Sequence, residues 1–184
     1  PRTPRAGRPA RRCGCAPSIA SVAGGRHAGH ASGCHRRPAV RPGQRGSVPV
    51  FADSSALVEL YVAEAHHRQV LAIAGPIVVS SLAAVEVPAA FWRKHRLGQL
   101  EATDAAVLSA EFAADLAGAG LPEPRFIAVA ASDEVIDGAA AAVSRHPLRA
   151  CDALQLASAL AVRRALDGLD GFVAFDDTLR AAAA

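Results

Sequence analysis

The stretch that decides the fold is Val48-Pro49-Val50-Phe51-Ala52-Asp53-Ser54-Ser55-Ala56-Leu57-Val58-Glu59-Leu60-Tyr61. Its first five residues form a short apolar run, which predicts a buried strand. Asp53 closes the run. Ala56, Leu57, Leu60 and Tyr61 then recur at helical spacing, and Asp53 or Ser54 can accept from the free N–H groups of the helix start. An apolar strand that runs straight into a capped helix opens a strand–helix unit.

The same grammar recurs downstream. His66 to Ala74 predicts a short helix, broken by Gly75-Pro76, and Ile77-Val78-Val79-Ser80 predicts a buried strand. Ser80 and Ser81 are expected to cap a helix that runs through Glu86 and Trp92 to about Leu97, with a kink at Pro88 and a stop at Gly98. Glu101 to Ala117 predicts a helix with Ala106, Leu108, Phe112 and Leu116 on or near one face. Phe126 to Ala130 predicts the third strand. Ser132 opens a helix over Asp133 to Arg145, which His146-Pro147 ends. Ala150 to Leu166 predicts a helix with Leu154, Leu156, Ala157, Leu160 and Ala161 inward, and Phe172 to Phe175 predicts the last strand, followed by Asp176, Asp177 and a short helix. Strands alternating with helices imply a parallel sheet covered on both faces.

The composition divides at the same place. Residues 1–50 carry 10 Arg and no Lys, Asp or Glu, while residues 51–184 carry the other 10 basic residues and all 17 acidic ones, a net of −7. The overall +3 describes neither part, so it is no argument that the folded part binds nucleic acid. Residues 1–47 show neither helical nor strand periodicity and are expected to be a disordered Arg/Pro/Gly-rich extension. The chain contains no Met and starts at Pro1; the extension is expected to be upstream sequence foreign to the natural protein, whose start is placed near Val48. The domain is then residues 48–184. Its abundance of Ala, 36 between residues 51 and 184, and a chain-wide 4% aromatic content predict close-packed helix and sheet. No apolar run of about 18 residues exists to span a membrane, and the N-terminus lacks the apolar centre of a secretory signal. Cys151 is the one Cys beyond residue 50, which fits a reducing cytoplasm and predicts a buried, inert thiol among apolar neighbours. Cys13, Cys15 and Cys34, with His27, His30 and His35, lack the paired spacing of a zinc site.

The acids carry the chemistry. Asp53 follows the first strand and Asp176 the last, and open parallel sheets bind ligands beyond the carboxyl ends of their strands. Asp152 opens an apolar helix, and Glu86 lies in the small apolar run Leu82 to Ala90. Such acids are costly to bury unless paired or bound to a cation. Four of them converging would repel one another, and a hard divalent cation relieves that repulsion. Each also has a purely structural explanation: Asp53, Asp152, Asp176 and Asp177 can start helices, and Glu86 can sit on a solvated stripe. The ordered set carries the argument; no single acid does.

These residues resemble a known family. Phe51-Ala52-Asp53-Ser54-Ser55-Ala56-Leu57, Ser80 to Arg93 around Glu86, His146 to Leu160 around Asp152, and Phe172 to Ala183 around Asp176 are similar, in order and spacing, to the motifs of PIN domains, in particular the VapC-type toxins of bacterial toxin–antitoxin pairs. The resemblance spans residues 48–184. It implies a three-layer α/β/α sandwich around a parallel sheet of four or five strands, and a Mg²⁺- or Mn²⁺-dependent endoribonuclease. By motif match, Asp53, Glu86, Asp152 and Asp176 take the metal-binding and catalytic positions. Ser55 matches a supporting hydroxyl, and Asp177 competes with Asp176 for the fourth place. The resemblance further implies an RNA substrate, a cognate antitoxin, a homodimer and a cytoplasmic location.

Arg149, just before Asp152, and Arg93 and Lys94, just after the Glu86 segment, are candidate phosphate contacts. For Arg93 and Lys94 a solvated helix end is the competing explanation. Two other functions compete with the nuclease. A non-catalytic RNA-binding module would not need four acids, and a phospho-accepting receiver domain would need a Lys after a late strand, whereas Lys94 is the only Lys.

Overall fold

The computed structural model describes residues 48–73, 75–118, 124–166 and 168–184. The expected extension, residues 1–47, lies outside the described residues. Eleven elements follow in order: β1 Val50–Ala52, α1 Ser54–Tyr61, α2 His67–Leu71, β2 Ile77–Ser80, α3 Ala83–Arg96, α4 Ala102–Leu116, β3 Phe126–Val129, α5 Asp133–Val143, α6 Ala150–Ala165, β4 Gly171–Val173 and α7 Asp177–Ala183. The four strands form one parallel sheet in the order β3-β2-β1-β4. Phe51 is in register with Val78 on one side and Phe172 on the other.

Alternation along the central strands assigns the two faces. Ala52, Ile77 and Val79 join Leu57, Val87, Phe91, Phe112 and Phe126 in one core, which α1, α3 and α4 cover. Phe51 and Val78 meet Ala159 and Val162 of α6 on the other face. There the Phe51 and Phe172 rings stack at 5.5 Å, and α5, α6 and α7 bury Val135, Ala139, Leu156, Ala157 and Leu179 together. Among the described residues the architecture is an α/β/α sandwich with four strands. Among the described residues no helix is long and apolar enough to cross a membrane.

Several local expectations change. The buried stripe of α4 passes through Ala105, Phe112 and Asp115, and Ala106 is exposed. One residue along a helix turns the side chain by about 100°, so Ala105 takes the inward place. Helix α6 lies between the sheet and α5, and its buried set includes Gln155 and Ser158 as well as apolar residues. Neither Ser80 nor Ser81 caps α3 with its side chain. Leu82 stands at the cap position, Ser80 Oγ accepts from the Leu82 N–H at 3.3 Å, and Ser81 Oγ accepts from the Ala131 N–H at 3.3 Å. Pro88 sits inside α3 without ending it. Strand β4 ends at Val173, so Asp176 follows it by a short linker rather than directly.

A buried polar group fastens the first face. The Tyr61 hydroxyl donates to Asp115 Oδ2 at 2.7 Å, and Arg125 Nη1 donates to the same oxygen at 2.7 Å. The Arg125 guanidinium also lies 5.4 Å from the Tyr61 ring centre and 5.5 Å from that of Phe126. A charge pair this deep is stable only when its hydrogen bonds are satisfied, and here one oxygen serves α1, α4 and the entry to β3.

Candidate active site

The carboxyl ends of β1, β2 and β4 lead into the starts of α1, α3 and α7, which carry Asp53, Glu86 and Asp176, while Asp152 lies at the start of α6, which follows α5. Asp53 caps α1, Glu86 and Asp152 lie in the first turns of α3 and α6, and Asp176 caps α7. The partial positive charge of a helix N-terminus favours an anion there, which is the local reason why acids gather at this edge.

Asp53 is the most enclosed, at 7% exposure. Its backbone N–H donates to Val173 O at 2.9 Å, so the sheet itself fixes its position. Its Oδ2 accepts from the Ser55 N–H at 2.9 Å and from the Ser55 hydroxyl at 2.6 Å. Ser55 Oγ in turn accepts from the Phe175 N–H at 3.1 Å. One hydroxyl thus ties Asp53 to the segment that presents Asp176. Burial pushes the Asp53 carboxyl above its ordinary range, the Ser55 bonds pull it back, and the charge of Glu86 pushes it further up.

Glu86 is half-buried. Its Oε2 accepts from the Ser54 hydroxyl at 2.6 Å and from Gln155 Nε2 at 2.6 Å. Gln155 Nε2 also donates to Ser54 Oγ at 3.0 Å. Asp152, half-buried, is pushed up by burial and then by the charge of Asp176, with Arg149 opposing and Glu86 adding a smaller push. Like charges therefore link Asp53 to Glu86, Glu86 to Asp152, and Asp152 to Asp176. Asp176 is exposed, and its Oδ1 accepts from the Leu179 N–H at 2.8 Å. Asp177 points to solvent and pairs with Arg180 of its own helix at 3.3 Å. Of the doubled acids, Asp176 is the one whose charge Asp152 feels.

The basic candidates separate. Arg149 is exposed at the cap position of α6, and its charge acts on Asp152. Arg93 and Lys94 lie in the last turn of α3, about 10 Å along the axis from Glu86 at 1.5 Å per residue. Arg93 is exposed, and among the described residues it makes no ion pair. Lys94 is engaged by Glu64. The expected burial of Cys151 is wrong: the thiol is exposed. Cys151 stands in the open first turn of α6, ahead of the stripe that begins at Ala153. What burial it has pushes the thiol up, and Glu86 and Asp152 beside it add to the rise. His66, over which no function is placed, stacks on Phe175 with ring centres 4.1 Å apart.

Two site residues escape sequence reasoning. Ser54 is read as a helix cap, and Gln155 is hidden in an apolar run. The available signal is a Gln one turn after Asp152, on the inward side of a helix, where an apolar side chain would be expected.

The donor set is entirely carboxylate oxygen, the type that suits hard divalent cations. Among the described residues no three His, Cys, Asp or Glu side chains stand together as a ready-made metal cage. The acids are spaced, each with one oxygen engaged in the case of Asp53, Glu86 and Asp176. A cation that retains several waters needs only one or two direct carboxylates.

No family profile matches the chain, and no curated protein matches it in sequence. Among solved structures it is similar to VapC20 of Mycobacterium tuberculosis, described as a sarcin–ricin loop cleaving toxin, at 20% identity and a TM-score of 0.50. The match covers 72% of this chain and 94% of that one. The chain shares its fold with that structure.

Proposed function

We propose that this VapC-type PIN fold is a metal-dependent endoribonuclease, the toxin component of a type II toxin–antitoxin pair. The observation that carries the proposal is the placement of Asp53, Glu86, Asp152 and Asp176 at one edge of the sheet, with burial and mutual repulsion raising Asp53 and Asp152. A fold gains nothing from like charges held in this way, and a cation relieves them. A receiver domain is disfavoured, because the only Lys lies at the far end of α3, paired with Glu64.

Mg²⁺ or Mn²⁺, held by Asp53, Asp152 and Asp176, would lower the pKa of a bound water and neutralise charge at phosphorus. Asp53 and Asp152 supply the most perturbed carboxylates, and Asp176 completes the set from α7. Ser55 keeps one oxygen of Asp53 turned toward α1, which leaves the other for the ion. Glu86, held through Oε2, offers its second oxygen to the attacking water and takes up its proton. Arg149 sits where a substrate phosphate would approach Asp152. The expected products carry 5′-phosphate and 3′-hydroxyl ends.

The similarity to a toxin that cleaves the sarcin–ricin loop supports a structured RNA loop as substrate. A cognate antitoxin, self-association as a homodimer and a cytoplasmic setting belong to the same reading. The test is cleavage of a stem-loop RNA by the full chain, with and without excess chelator. Loss of cleavage in chelator, restored by Mg²⁺ or Mn²⁺, supports the proposal; chelator-insensitive cleavage refutes the metal-dependent mechanism.

A further inference from the structure

Ser54, Glu86 and Gln155 form a closed ring of hydrogen bonds across three helices. Gln155 Nε2 donates to Glu86 Oε2 at 2.6 Å and to Ser54 Oγ at 3.0 Å, and Ser54 Oγ donates its proton to the same Oε2 at 2.6 Å. The directions are forced. Glu86 Oε2 accepts, and the Ser54 hydroxyl gives its one proton to it, so both neighbours present acceptors to the amide. Turning the amide over would set its carbonyl against the carboxylate.

This orientation has a cost. Gln155 is 1% exposed, and among the described residues its buried Oε1 has no hydrogen-bond partner. A buried carbonyl is rarely left unpaired, and an exception needs a reason. The reason lies in what the ring connects. Ser54 adjoins Asp53 at the start of α1, Glu86 is in the first turn of α3, and Gln155 follows Asp152 by one turn on α6. Three of the four acids are set relative to one another by this one group. All of its bonds to Glu86 fall on Oε2, so Oε1 takes no part in it.

We infer that Gln155 is a positioning residue: through the ring with Ser54 it holds Glu86 in the orientation that presents Oε1 to a divalent cation or its water. The inference rests on the nuclease reading of the site. Its test is a Mn²⁺ titration by calorimetry on the full chain, comparing the wild type with Gln155→Met, Ser54→Ala, Glu86→Gln and the Gln155→Met/Glu86→Gln double variant. Gln155→Met keeps the volume and removes the donors. It is expected to weaken Mn²⁺ binding by at least about tenfold, the range for a group that orients a metal ligand. In the Glu86→Gln background the same change is expected to weaken binding no further. In RNA cleavage it is expected to lower kcat and leave KM unchanged.

Equal weakening in both backgrounds would show a merely structural role and overturn the inference, as would wild-type affinity in Gln155→Met. If Gln155→Met fails to fold, Ser54→Ala breaks the ring at its other corner, and wild-type affinity there overturns it. Absence of Mn²⁺ binding by the wild type refutes the cation reading itself and the inference with it, whereas wild-type affinity in Glu86→Gln removes Glu86 from the cation site and overturns the inference alone. Weak binding by Glu86→Gln beside unchanged binding by Gln155→Met refutes the inference alone.

Discussion

Asp53 caps a helix, a role usually filled at the surface, yet it lies almost wholly inside the protein. Burial and the Glu86 charge hold its carboxyl above the ordinary value of 3.8, and burial and Asp176 do the same to Asp152. The folded chain therefore keeps protons that the unfolded chain has released. The stability from these groups is fully present below pH 3.8 and is lost as pH rises through their folded values. Asp53→Asn is thus expected to melt higher than the wild type at pH 7, with the gap closing toward pH 4. Added Mg²⁺ is expected to raise the melting temperature of the wild type at pH 7 and not that of the variant; thermal melts check both. Ser55→Ala removes two bonds, one of them to a charged group, and is expected to cost about 2 kcal/mol in chemical denaturation. It also unties Asp53 from Phe175, so cleavage is expected to fall more than the lost stability explains.

At the scale of elements, α1, α4 and β3 are joined by the buried Tyr61, Asp115 and Arg125 group. Asp115→Ala leaves Arg125 without its partner in the interior and is expected to destabilise by about 3–5 kcal/mol, read by denaturant unfolding. Burial, and then the bond to Asp115, push the Tyr61 phenol above its ordinary value of 10.0. Above that pH only the unfolded chain ionises it, so stability is expected to fall as pH rises further. Tyr61 is the only Tyr in the chain. Its ultraviolet absorbance is therefore expected to change together with unfolding followed by circular dichroism, not before it.

The same scale shows what was legible beforehand. Ile77 to Ser80 reads as a strand because an apolar run between Gly75-Pro76 and the next helix has no other use, and Ser132 reads as a cap because it precedes a periodic run. Asp53 and Glu86 can be singled out because an acid among small apolar residues is conspicuous. Gln155 cannot, because its meaning lies in Ser54 and Glu86, distant along the chain. The engagement of Lys94 by Glu64 is hidden for the same reason, and so is the Asp115–Arg125 pair. The exposure of Cys151 depends on where α6 leaves the sheet edge, which periodicity does not report.

Across the molecule, the sheet order β3-β2-β1-β4 explains why the site lies where it does. The central strands β1 and β2 deliver Asp53 and the start of α3 to one edge, and β4 beside β1 delivers α7 with Asp176. Residues 51–184 carry a net charge of −7, so a polyanionic substrate must be met by a cation and a few local bases such as Arg149. The most direct test is end-mapped cleavage of a stem-loop RNA in Mg²⁺ or Mn²⁺ by the wild type and by folded Asp53→Asn. The account predicts cleavage to 5′-phosphate and 3′-hydroxyl ends by the wild type, and none by the variant or in excess chelator. Equal cleavage by Asp53→Asn, or cleavage that survives chelation, would contradict it.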